Sequence, residues 1–122
     1  MGQEVDLPPQ IQEQLVRLQQ LQQTLQTVAS QKQQVELELN ETDKALTELD
    51  KSTDDTPVYK SVGSILIKSS RQTLLTELKE RKELLNTRVT VLGKQEERTR
   101  ERLKEIQEEL QERLKAPKTS AQ

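Results

Sequence analysis

Val58-Tyr59-Lys60-Ser61-Val62-Gly63-Ser64-Ile65-Leu66-Ile67-Lys68 is the stretch whose reading decides the fold. β-Branched and large apolar residues crowd both sides of Gly63-Ser64. That dipeptide suits a two-residue type II′ turn, in which the first position takes a positive φ. The spacing predicts a β-hairpin over 57–68. Side chains alternate across a ribbon, so Val58, Val62, Ile65 and Ile67 fall on one face and Tyr59 and Leu66 on the other. Both faces are therefore apolar. An isolated two-stranded hairpin is marginal in water, and its unpaired edges invite another chain.

The segments on either side carry heptad patterns. Leu7-Pro8-Pro9 opens the first, where proline is tolerated because the amide hydrogen it lacks would go unpaired there anyway. The apolar stripe then runs through Ile11, Leu15 and Leu18, continues with Leu21, Leu25 and Val28, and ends through Val35, Leu39, Leu46 and Leu49, with Lys32 and Thr42 also in register. This is a narrow coiled-coil seam rather than the broad face of a globular helix. Leu15, Leu18 and Leu21 make two short steps in succession, which reads as a stammer that locally overwinds the supercoil. Helix 1 is expected over 8–52, stopped by the turn-rich Ser52-Thr53-Asp54-Asp55-Thr56-Pro57.

Ser69 or Ser70 is suited to cap the second helix. Its seam runs through Leu75, Leu78, Lys82, Leu85, Val89 and Leu92, then Glu96, Thr99, Leu103, Ile106 and Leu110, with Leu114 just off it. Helix 2 is expected over 70–115, with a flexible tail over 116–122. Gly93 lies inside this helix, at a cost of about 1 kcal/mol relative to alanine. Glu77–Arg81 and Glu109–Arg113 have the spacing for favourable pairs along the helix.

When the chain folds back at the hairpin, the two seams meet in antiparallel register. Leu49 meets Leu75, Leu39 meets Leu85 and Leu18 meets Ile106. Past the stammer the register shifts by one, bringing Ile11 opposite Leu114. The expected fold is mainly α, a long antiparallel two-helix coiled coil with one β-hairpin at the bend, forming a single domain over 1–122. The seam residues have partners within the chain. The hairpin has none, so hairpins of several subunits are expected to close into an intersubunit β-barrel, which removes the edges. Lys32, Lys82 and Glu96 interrupt the seam, either fixing register or reaching out of it to solvent.

Composition narrows the function classes. The chain has 122 residues, 30% hydrophobic and 1% aromatic, with 33% charged and a net charge of −2. That is too few bulky residues for a compact globule of this length, and too little positive charge for general nucleic-acid binding. No stretch approaches the roughly 20 apolar residues of a membrane span, and Met1-Gly2-Gln3-Glu4-Val5-Asp6 does not read as a secretory signal. With no His or Cys, most metal sites and the common nucleophile–base pairs are missing. A thin seam encloses no pocket to separate carboxylate pKa values. An enzyme is not expected, nor any cofactor or metal.

The hairpin sequence Val58-Tyr59-Lys60-Ser61-Val62-Gly63-Ser64-Ile65-Leu66-Ile67, with Leu7-Pro8-Pro9-Gln10 before it and Gln95-Glu96-Glu97-Arg98 after it, resembles the β-type subunits of the prefoldin family, particularly the archaeal ones. The resemblance covers nearly the whole chain, and one hairpin rather than two points to the β type. It implies a cytoplasmic hetero-hexamer of two α-type and four β-type subunits. Such an assembly holds unfolded client proteins at its coiled-coil tips without ATP and passes them to a group II chaperonin. It implies no nucleic-acid or membrane partner. Mapped onto this sequence, oligomerisation falls to Val58, Tyr59, Val62, Gly63, Ile65, Leu66 and Ile67. Client binding falls to Leu7, Ile11, Leu15, Val16 and Leu18 on helix 1, and to Ile106, Leu110 and Leu114 on helix 2. The competing reading is a structural coiled-coil adaptor that binds one defined partner.

Overall fold

The computed structural model describes the backbone of residues 7–120 and the side chains of residues 7–115. The element order is α1 (Pro9–Lys51), β1 (Val58–Val62), β2 (Ile65–Ser69) and α2 (Arg71–Ser120). The fold class is as the sequence predicts: two long helices separated by one antiparallel hairpin. The chain divides into two compact units, Gln31–Leu92 and Met1–Ser30 with Gly93–Gln122. Both helices contribute to each.

In the unit of Gln31–Leu92, the seam positions are the ones withdrawn from water. Val35, Leu49 and Leu75 are buried and Leu85 is completely enclosed, while Leu39, Leu46, Leu78 and Val89 are half-buried. Arg81 pairs with Glu38 at 2.6 Å and Lys82 with Asp43 at 2.9 Å, joining α2 to α1 along the rim of the seam. Lys82 thus leaves the seam to find a carboxylate at its rim, the long stem covering apolar surface on the way. Thr42 stays inside. Its hydroxyl donates to the Glu38 carbonyl at 2.8 Å, so its burial leaves no unmet polar group.

The hairpin has the expected register, with Val62 opposite Ile65 and Val58 opposite Ser69. Gly63 has φ of +58°, and among the described residues no other type has a positive φ. Ser64 therefore stays on the negative side, as a type II′ turn requires. A side chain at position 63 would meet open space, so glycine is needed there for its backbone angle alone.

The junction between α1 and the strands is held by a residue the sequence reading passed over. Arg71 Nε donates to the Leu49 carbonyl at 2.8 Å, and its Nη1 reaches Asp54 at 3.2 Å. The Leu49 carbonyl also accepts from the Ser52 amide and hydroxyl. One end-of-helix carbonyl, left without a partner by helix geometry, thereby ties α1, the loop and the start of α2 together. Ser70, not Ser69, caps α2: its Oγ accepts from the Thr73 amide at 3.1 Å. Ser69 belongs to β2.

In the unit of Met1–Ser30 with Gly93–Gln122, Ile11, Val28, Leu103 and Leu110 are buried. Thr99 is buried too, with its hydroxyl donating to the Gln95 carbonyl. Among the described residues no side chain caps α1; the Pro8 carbonyl accepts from the amides of Ile11 and Gln12, both at 3.0 Å, and the Leu7 carbonyl from Gln12 Nε2 at 2.9 Å. α2 extends to Ser120, past Pro117, where the sequence predicts a flexible tail from 116. Proline removes one amide hydrogen, but its φ is that of a helix, so the backbone path continues through it. Residues 121–122 of that expected tail lie outside the described residues.

The along-helix pairs Glu77–Arg81 and Glu109–Arg113 give way to other partners. Glu77 takes Lys60 of β1 at 3.0 Å and Arg81 takes Glu38. Glu109 accepts from Gln14 and Arg113 donates to Gln10. A pair along one exposed helix is worth only about 0.2–0.5 kcal/mol, so a partner on another element displaces it easily.

Gly93 has nothing within 4 Å of where a Cβ would stand, so close packing does not demand glycine. Gly93→Ala is expected to stabilise the protein by about 1 kcal/mol, read as a higher midpoint in urea unfolding at unchanged slope. A lower midpoint would mean that the helix needs glycine there.

Candidate functional site

Two apolar surfaces stand out, one in each unit. The first is the hairpin. Tyr59, Val62, Ile65, Leu66 and Ile67 are all exposed, Leu66 at 71%, and Val58 is half-buried. The strand register sets Val58, Val62, Ile65 and Ile67 on one face and Tyr59 and Leu66 on the other. Only one edge of each strand is used, since the sheet has two strands. Lys60 bonds Glu77, which anchors the ribbon to α2 without covering its apolar groups. Removing each such side chain from water is worth about 1.5–3 kcal/mol. A patch of this kind on a two-stranded sheet marks an interaction surface.

The second surface is built by the start of α1 and the later turns of α2. Leu15, Val16 and Leu114 are exposed. Leu7, Leu18 and Ile106 are half-buried, and Ile11 and Leu110 are each only 6% exposed. The sequence-predicted set is thus split between residues at the surface and residues closed inside the seam.

The repeat accounts for the split and corrects the sequence reading. Counting back from Val28 in heptad steps passes Leu25, Leu21 and Leu18, and then reaches Gln14 and Ile11 with no interruption. Gln14 is half-buried, and Leu15 is 42% exposed. There is no stammer. Overwinding the helix to turn Leu15 inward would strain the turns around it, whereas a glutamine in the seam can find a polar partner. The register shift that paired Ile11 with Leu114 falls with the stammer. Leu110 is buried and Leu114 is 55% exposed, and Arg113 faces the first turn of α1 by donating to Gln10 Oε1 at 3.0 Å.

Gln14 Nε2 donates to Glu109 Oε1 at 2.7 Å. A carboxylate only accepts, so this bond dictates which way the amide turns. Gln14 Oε1 is left buried, with no hydrogen-bond donor among the described residues. A buried acceptor without a donor costs about 1–3 kcal/mol. The amide's place in the repeat was legible in the spacing, but its apolar neighbour Leu15 masked it.

Gln14 also lines an open groove of about 430 Å³ that has Val16 and Ile106 as its apolar walls. The groove's carboxylates, Glu13 and Glu109, are matched by the guanidiniums of Arg17 and Arg113. It therefore offers apolar contact and amide groups without a net charge that would select among ligands.

Comparison with known proteins agrees with this geometry. A family model described as "Prefoldin subunit" matches residues 12–116. The prefoldin subunit beta of Methanothrix thermoacetophila is 51% identical over 102 residues, covering 84% of this chain and 85% of the relative. That of Pyrococcus furiosus is 43% identical over 112 residues, covering 92% and 96%. The crystal structure of the prefoldin beta subunit from Thermococcus strain KS-1 superposes with a TM-score of 0.82 at 43% identity, over 92% of this chain and 98% of that one. The one-hairpin architecture, the heptad-patterned helices and these similarities lead to a single family: the chain belongs to the prefoldin subunits, a family of molecular chaperones.

Proposed function

We propose that the chain is the β-type component of a cytoplasmic hetero-hexamer, with two α-type and four β-type subunits, that holds unfolded proteins without ATP and delivers them to a group II chaperonin. The observation that carries this reading is the coexistence of two separate apolar surfaces. One is a ribbon with free edges and the other an open, charge-balanced end of a helix pair. A ribbon edge is satisfied by another ribbon, so the first surface suits assembly into an intersubunit barrel through Val58, Tyr59, Val62, Gly63, Ile65, Leu66 and Ile67.

The second surface suits loose polypeptide. Leu7, Leu15, Val16, Leu18, Ile106 and Leu114 offer scattered apolar contacts rather than one deep pocket, and Ile11 and Leu110, each 6% exposed, join them where the seam parts. Such contacts are weak singly and tolerant of sequence. Several subunits joined at their hairpins raise the effective concentration of the next contact once one is made, and retention follows. An adaptor for one defined partner needs a surface of fixed shape or charge; the balanced groove supports the less selective role.

Ile65→Asp combined with Ile67→Asp is expected to break the assembly while far-UV helicity is largely kept, with light scattering reading the fall in mass. An unchanged mass would remove the hairpin from the assembly interface. Deleting residues up to Gln14 together with those after Lys104 is expected to spare the oligomer and abolish suppression of aggregation across several unrelated unfolded proteins. Full suppression by that truncation would overturn the placement of client binding.

A further inference from the structure

We propose that Gln14 keeps the end of the seam ready to open, so that Ile11 and Leu110 form a client-holding surface that is concealed until the helices part. The inference rests on the reading that this end of the helix pair binds clients. In the closed form Ile11 and Leu110 are too deeply buried to touch another chain, although they are the apolar groups best placed to add holding area beside exposed Leu15 and Leu114. What decides their availability is the free energy of parting the last turns.

That free energy is lowered from both sides. Closed, the seam holds a glutamine in an apolar position with its carbonyl oxygen buried and without a donor among the described residues. Open, the same oxygen accepts from water or from the main-chain amide of an extended client, and the penalty disappears. The contacts across the closed end are also modest. Gln14–Glu109 and Gln10–Arg113 are exposed hydrogen bonds, and among the described residues no side chain caps the start of α1. Helix ends with few buried apolar contacts open at low free energy. Glutamine supplies what leucine at this position would not, a closed state that is stable but only slightly so. Gln14 is thus a positioning residue for client binding, acting through the seam.

The test runs against intuition, because it makes the end more apolar and expects weaker holding. The full-length chain, assembled with an α-type subunit, is compared with Gln14→Leu and Gln14→Asn. Hydrogen exchange is followed by mass spectrometry over residues 11–18 and 106–113. Binding is followed by fluorescence anisotropy of labelled, reduced and carboxymethylated lactalbumin as a permanently unfolded client. Gln14→Leu is expected to slow exchange in both segments about tenfold and to weaken client binding several-fold. Gln14→Asn, which keeps a polar group in the seam, is expected to retain fast exchange and binding. Unchanged exchange in Gln14→Leu would overturn the proposal. So would slower exchange with unaltered or tighter binding, which would make Gln14 only a register pin. If the truncation described above abolishes holding while Gln14→Leu does not weaken it, this inference falls and the client-binding reading stands. If the truncation leaves holding intact, both fall.

Discussion

A two-stranded ribbon cannot satisfy itself. Each strand of this hairpin gives one edge to its neighbour and, among the described residues, keeps the other without a backbone partner. Apolar groups occupy both faces, Val62, Ile65 and Ile67 on one and Tyr59 and Leu66 on the other. The two helices lay their apolar stripes on each other, and the ribbon stays uncovered, with Leu66 71% exposed. The surrounding contacts hold the ribbon in place rather than bury it. Arg71 and Ser52 secure the end of α1 at the Leu49 carbonyl, Ser70 starts α2, and Lys60 reaches Glu77. The need for further strands is thus written into the strand count, and membership of a family of multi-subunit chaperones fits it.

A two-helix seam is the thinnest hydrophobic core a protein can have, and the way polar residues enter it varies with position. Thr42 and Thr99 are buried at no unmet cost, because each hydroxyl returns to the carbonyl one turn earlier. Lys82 sends its charge out to Asp43. Gln14 does neither completely: one end of its amide is bonded and the other is not. In a thick core such a half-satisfied group would be a defect. At the end of a thin seam it lowers the cost of parting that end, because the oxygen gains a donor once water reaches it.

Features of this chain that local sequence specifies are legible in it, and features that depend on a distant partner are not. The hairpin was legible because Gly63-Ser64, the β-branched flanks and period-two alternation all specify the same local geometry. The seam was legible because a period of three and four residues is a property of one helix. The spacing of Leu15 suggests a stammer that the helix does not adopt, because the uninterrupted repeat turns Gln14 inward, where Glu109, far along the chain, accepts from its amide. Glu77–Arg81 and Glu109–Arg113 failed for the same reason, since each member found a partner on another element. Arg71 was passed over because its partner is a backbone carbonyl twenty-two residues earlier, invisible to any local pattern.

By itself the sequence determined the element types, their order, the antiparallel matching of the heptads and the existence of an apolar ribbon without cover. These follow from backbone propensity and side-chain period, which act over a few residues. Tertiary structure alone decided which apolar groups at the open end are on show and which are shut away. It set Leu15, Val16 and Leu114 outside and Ile11 and Leu110 inside, and it left one oxygen of Gln14 without a donor. Exposure and hydrogen-bond satisfaction depend on which atoms of the other helix arrive alongside, and no local stretch of sequence contains that information.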